Sequence, residues 1–230
     1  MADDSSSFPQ TLYQPEEGAC QIVLVRHGQS APYMPGRPFD LVDGHGDPHL
    51  SELGHHQARL LGERLAHEPI DAIYTSSLTR TKQTAAPLAE KLGIAPEVEA
   101  DLREVYLGEF EGGLFRQRAA EDHPAVVSMR AKGEWGEIPG AETNAQFQGR
   151  VVAALERIAA AHPDRLVVAA CHGGVIGAAL GHAIGAGPFV FNGARHTSVN
   201  HLVRNPSGWV IRSFNDGAHA GRLTVDHPLP

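Results

Sequence analysis

The rhythm of apolar and polar positions changes several times along the chain, and each change predicts an element. Ile22-Val23-Leu24-Val25 is an unbroken apolar run, closed by Arg26-His27-Gly28. Short apolar runs bounded by glycine read as strands buried on both faces. Leu166 to Ala170, closed by Cys171-His172-Gly173-Gly174, reads the same way, and Ala72 to Thr75 is a shorter strand. Between these runs the spacing turns helical. Ser51 is the expected N-cap of a helix reaching about Ala66, with Leu53, Ala58, Leu61 and Leu65 as its apolar stripe. Leu78 to Leu92 is a second helix, ended by Gly93 as a C-cap. Asn144 to Ala161 is strongly periodic, and Gly173-Gly174 leads into a further helix near Val175 to Ile184. Ser198 to Arg204 and Trp209 to Phe214 predict a hairpin around Asn205-Pro206-Ser207-Gly208. Glu97 to Ala100 is a weaker strand candidate.

Two stretches lack a period. Residues 31–48 are crowded with Pro, Gly and Asp and predict a loop. Residues 102–141 hold Gly108, Gly112, Gly113, Gly133, Gly136 and Gly140 and predict short helices in an irregular cover. Residues 1–18, rich in Ser, Pro, Glu and Asp, read as a flexible leader. Residues 19–230 then form a single domain. Strands alternating with helices give an α/β fold, a three-layer αβα sandwich around a mostly parallel sheet.

Composition narrows the function classes. Apolar content of 42% and charged content of 20% are ordinary for a globular chain of 230 residues. The formal charge of −8 argues against nucleic acid and anionic membrane as partners. An anionic substrate would need a locally positive pocket. The start of the chain lacks the basic and apolar stretches of a signal peptide, and no apolar run approaches spanning length. Cys20 and Cys171 alone give no disulfide framework. A cytoplasmic location is expected.

The chemistry collects at predicted strand ends, where open α/β sheets bind ligands. Arg26-His27-Gly28 offers a forked cation, a nucleophilic imidazole and a backbone without a side chain, a combination suited to a phosphoryl group. Cys171-His172-Gly173 repeats the arrangement, so the two histidines are expected to face each other across a cleft. Arg80 falls in the first turn of a helix, where guanidinium and helix N-terminus both attract an anion. A proton donor is also needed, and spacing does not choose among Glu104, Glu109 and Glu111.

Other chemistries fit less well. A cysteine phosphatase loop begun at Cys171 would need an arginine where Gly177 stands. Walker, HExxH and paired CxxC motifs are absent. His45, Asp47 and His49 lie close in sequence but read as surface, so no metal or other cofactor is expected.

Taken together, the motifs resemble the histidine phosphatase superfamily in its phosphoglycerate-mutase-like branch. They are Val23 to Ser30, Leu50 to Gly54 with Gln57-Ala58, Tyr74 to Thr81 with Gln83 to Ala85, Leu102-Arg103-Glu104, Pro139 to Glu142 and His172-Gly173-Gly174. The resemblance implies that fold from about Cys20 to Phe214. It implies His27 as the phosphorylated nucleophile and Arg26, Arg80 and His172 as the phosphate clamp. Glu104 becomes the general acid and then the base, and Glu111 holds its loop. Gln29, Ser30 and Gly173 are further phosphate contacts. Many relatives carry an Asn where Tyr33 stands, and the 31–48 loop is long. The expected activity is hydrolysis of a small phosphorylated metabolite. The alternatives are a mutase and a phosphate-binding scaffold. Gly112-Gly113-Leu114-Phe115 departs from the mutase pattern and favours hydrolysis. Arg37, Arg116, Arg118, Arg130 and Lys132 are candidate readers of a second anionic group. The resemblance is compatible with a homodimer.

Overall fold

In a computed structural model, which describes residues 10–221, the apolar runs become the centre of one six-stranded sheet. Its strands are β1 (Cys20–Arg26), β4 (Ala72–Thr75), β5 (Glu97–Val98), β6 (Arg165–Cys171), β7 (Val199–Asn205) and β8 (Gly208–Asp216). The order is β5-β4-β6-β1-β7-β8. The first three pairings and the strands in them are parallel; β7 and β8 add an antiparallel hairpin at one side.

Alternation within the strands builds two cores. Val23, Val25, Ile73, Val168 and Ala170 pack with Leu61 and Leu65 of α1 (Glu52–Leu65) and Ala85 and Leu88 of α2 (Thr79–Leu92). Ile22, Leu24, Val167 and Ala169 face the other way. They meet Phe147, Val151 and Leu155 of α5 (Asn144–Ala161) and Ile176 and Leu180 of α6 (Gly173–Ala183). A fully buried aliphatic side chain of this kind contributes roughly 1.5–3 kcal/mol of transfer free energy. Removing either helical layer would therefore expose one face of the sheet. Close approach of α2 to α1 depends on Gly62, where a Cβ would lie 3.1 Å from the Leu88 nitrogen.

One aperiodic stretch holds structure that the pattern did not predict, and the other holds the short helices expected of it. The 31–48 segment contains a two-stranded ribbon, β2 (Leu41–Val42) and β3 (His45–Gly46). The cover contains α3 (Leu114–Ala120) and α4 (Pro124–Lys132), joined by a small core of Phe110, Val126, Met129 and Ile138. Strand β5 is shorter than expected because the Glu99 side chain accepts the Asp101 N–H and starts a turn. Helix α6 begins at Gly173, two residues before the expected start.

The expected leader divides. Residues 1–9 lie outside the described residues. The part from Tyr13 to Gly18 is fastened to the sheet. Tyr13 packs under Arg212, the Glu16 N–H is donated to Asn205, and the Gly18 N–H to Asp164. Among the described residues no helix is long and apolar enough to cross a membrane.

Candidate active site

Strands β1 and β6 are parallel neighbours with Arg26 opposite Cys171. The next residue on each is a histidine, so His27 and His172 leave the same sheet edge one strand apart. Their ring centroids are 5.2 Å apart. Sequence reasoning set them across a cleft; the register sets them side by side instead. The backbone after β1 passes close to the start of α1. A Cβ on Gly28 would lie 2.6 Å from the Gly54 carbonyl oxygen, so glycine is required there.

His27 donates Nδ1–H to the Gly28 carbonyl at 2.7 Å, because a carbonyl only accepts. That leaves the Nε2 lone pair exposed to the cavity. Burial, followed by the charges of Arg80 and Arg26, holds the imidazole pKa well below its usual value. The ring is therefore neutral at neutral pH. Burial and Arg80 act on His172 in the same direction. Its Nε2 lies 2.9 Å from Ser76 Oγ, just past the end of β4.

Arg26 and Arg80 both line the cavity. Arg26 donates to the Ala194 carbonyl, and Arg80 donates to the Gly46 carbonyl at 2.9 Å. Burial pulls the Arg80 pKa down to about 10, which leaves it cationic at neutral pH. Asp47 accepts from the backbone and hydroxyl of Thr79 and sits 4.0 Å from Arg80. It thus caps α2 and braces the arginine together.

Three acidic residues were open as proton donors, and geometry sets one of them apart. Glu109 is exposed. Glu111 lines the cavity, and its two oxygens accept the Leu107 and Gly46 N–H groups, which pins the cover to β3. Glu104 also lines the cavity and accepts the Val105 and Gly174 N–H groups. Its chain segment is fixed by Arg150 of α5, which reaches the carbonyls of Asp101, Arg103 and Glu104 and pairs with Glu142.

Gln29 and Ser30 line the cavity as well. Gln29 accepts from Ser51, and Ser30 Oγ accepts from Arg116 at 2.7 Å. Gly173 stands behind Arg26 rather than on the cavity wall, where a Cβ would touch the Arg26 guanidinium at 3.5 Å.

The cavity encloses about 900 Å³, within the range of small-molecule sites. Its outer wall is aromatic, with Tyr33, Phe39, Phe110, Phe115 and Trp135. Of the five candidate readers of a second anion, only Arg116 lines it. Arg118, Arg130 and Lys132 pair with Glu121, Asp122 and Glu137, and Arg37 is exposed.

Among the cavity residues that sequence reasoning missed are two histidines, His45 and His196. His45 was expected on the surface, yet it is buried and donates Nδ1–H to the Asp43 carbonyl. The ribbon around it carries no long period, so no sequence signal marked its burial. The His196 ring centroid is 6.1 Å from that of His27. It lies in the aperiodic stretch between α6 and β7. Among the described residues no group of three or more His, Cys, Asp or Glu is placed to hold a metal ion.

The chain resembles known proteins over most of its length. The family described as histidine phosphatase superfamily (branch 1) matches residues 22–217. The chain is 34% identical over 212 residues to a metal-independent phosphoserine phosphatase of Arabidopsis thaliana, covering 89% of this chain and 84% of the relative. It is 30% identical over 213 residues to a probable phosphoglycerate mutase of Yersinia enterocolitica, covering 90% and 97%. Among solved structures it resembles a mycobacterial glucosyl-3-phosphoglycerate phosphatase, with a TM-score of 0.70 and 28% identity. That likeness covers 86% of this chain and 99% of the other.

Proposed function

Since the chain belongs to the histidine phosphatase superfamily (branch 1), we propose that its cavity transfers a phosphoryl group to water through a phosphohistidine on His27. The protein is a metal-independent phosphomonoester hydrolase acting on a small phosphorylated metabolite. The observation that carries the mechanism is the state of His27. Its Nδ1 proton is committed to Gly28 and its ring is held neutral, so Nε2 is a free nucleophile.

Nε2 attacks phosphorus while Arg26, Arg80 and His172 hold the equatorial oxygens. Glu104 gives a proton to the departing alkoxide and then takes one from the water that cleaves the phosphohistidine. Gln29 and Ser30 border the phosphate, and Gly173 supports it through Arg26. A cytoplasmic location and a homodimer accompany this reading.

A second reading, phosphoryl return to a rebound product, is favoured by the relative named as a probable phosphoglycerate mutase. One pair of assays separates the two. Wild type is expected to hydrolyse a chromogenic phosphomonoester, phosphoserine or glucosyl-3-phosphoglycerate without a primer. Efficient interconversion of phosphoglycerates that depends on a bisphosphoglycerate primer, with negligible hydrolysis, would replace the phosphatase by the mutase.

A further inference from the structure

The hydrogen bonds behind His172 fix where its proton sits. Ser76, Leu78, Thr81 and His172 are all fully buried. Thr81 Oγ1 lies 2.7 Å from the Leu78 carbonyl and 3.2 Å from the Ser76 carbonyl. Both oxygens only accept, so the single Thr81 hydroxyl proton is committed to the nearer one. Ser76 Oγ lies 3.0 Å from Thr81 Oγ1. Two hydroxyl oxygens at that distance need a proton between them, and only Ser76 has one left to give. The lone pairs of Ser76 then accept the Leu78 N–H at 3.3 Å and the His172 Nε2–H at 2.9 Å. Nδ1 of the neutral ring is left as a bare lone pair. It is buried and has no hydrogen-bond partner among the described residues.

We infer that Ser76 and Thr81 are positioning residues that hold neutral His172 as its Nε2–H tautomer, so that it grips a phosphoryl oxygen only by gaining a proton on Nδ1. The inference rests on the phosphatase reading, in which His172 meets the phosphoryl oxygens. A bare nitrogen and a phosphate oxygen both present lone pairs and repel. One proton between them gives a charge-assisted hydrogen bond instead. A monoanionic ester supplies it: the P–O–H bond to hydrogen breaks, an Nδ1–H bond forms, and a dianion faces an imidazolium. A dianionic ligand draws the proton from solvent.

The groups facing His172 explain why the proton arrives only with the ligand. Arg80 of α2, Arg26 of β1 and the rings of His27 and His45 surround it, and they add to burial in keeping the empty-site ring neutral. Glu104, bonded to the Gly174 N–H, is the acid on the α6 side. A bound dianion offsets the two arginines and removes their bias against imidazolium.

The test is calorimetric titration of the intact chain with inorganic phosphate at about pH 8, above the second phosphate ionisation. Two buffers of different ionisation enthalpy report the protons exchanged. Uptake of about one proton per site is expected. Phosphate binding with no uptake would overturn the inference, and no binding at all would overturn it together with the phosphatase reading. Thr81→Val frees Ser76 to donate to Nε2 and moves the ring proton to Nδ1. Uptake should then fall from about one proton towards zero while phosphate still binds. Thr81→Ser should restore it. Unchanged uptake in Thr81→Val would remove the assigned role, since a merely structural threonine alters stability but not proton count. The nitrogen NMR spectrum of His172 in the unliganded wild type gives a readout independent of variant folding. An Nε2–H signature is expected, and an Nδ1–H signature would contradict the inference.

Discussion

His27 and His172 have the same side chain and opposite bonding, and that difference separates their roles. A backbone carbonyl takes the His27 Nδ1 proton, whereas Ser76 engages the His172 Nε2. Each ring is left with one nitrogen outside these bonds: Nε2 of His27, whose ring lines the cavity, and the buried Nδ1 of His172. The same accounting sets aside Glu109, which is exposed, but leaves Glu104 and Glu111 alike, since each lines the cavity and accepts two backbone N–H groups. The choice of Glu104 as acid rests on its place in Leu102-Arg103-Glu104. If Glu104 donates the leaving-group proton, Glu104→Gln should depend on the alcohol. With alkyl phosphates, turnover should fall about 10²–10⁴-fold, the usual worth of general acid catalysis. With a nitrophenyl phosphate, whose leaving group needs little protonation, the first step should fall much less. Burst kinetics can isolate that step. Equal losses for both substrates would assign Glu104 to positioning alone.

At the scale of elements, the strand register does the placing. Because β1 and β6 align Arg26 with Cys171, the histidines emerge level with each other without any help from loops. The start of α6 completes the site. Glycine weakens a helix by about 1 kcal/mol relative to alanine, yet α6 opens with Gly173-Gly174. The reason is close approach: a Cβ on Gly174 would lie 2.3 Å from Glu104 Oε1. Gly174→Ala should therefore displace the carboxylate, and Arg150 leaves its backbone little freedom to follow. We expect kcat for alkyl phosphates to drop at least about tenfold, as positioning losses of an ångström do. Inorganic phosphate should still bind and inhibit. Wild-type kcat in the folded variant would show that the approach is not functionally tight. The sequence disclosed these elements where the period was long. It did not disclose the β2–β3 ribbon or the cover core, whose short pieces are held by contacts such as Glu111 with Gly46 and Asp47 with Thr79. Such contacts join residues far apart in the chain and leave no local pattern.

Across the whole molecule, a chain of net charge −8 concentrates Arg26, Arg80 and Arg116 around one cavity. Their mutual repulsion is visible in Arg116, whose pKa is lowered by burial and by Arg26. Such a cluster is costly when empty and favourable when an anion fills it. The α/β sandwich and the strand-end histidines could be read from apolar runs and the residues that close them. The aromatic wall could not, because Tyr33, Phe39, Phe115 and Trp135 meet only when the cover folds over the 31–48 segment. The inner half of the cavity was thus readable in local sequence, and its aromatic outer half was not.

The central claim is that phosphate passes through His27, and trapping it tests that most directly. The protein is mixed with a phosphomonoester, quenched within its first turnover in alkali, where phosphohistidine survives, and mapped by peptide mass spectrometry. The account predicts phosphate on His27 of the wild type and on no residue of His27→Ala, which should have lost turnover by at least about a thousandfold. Phosphate on another side chain, or sustained hydrolysis by His27→Ala, would contradict it.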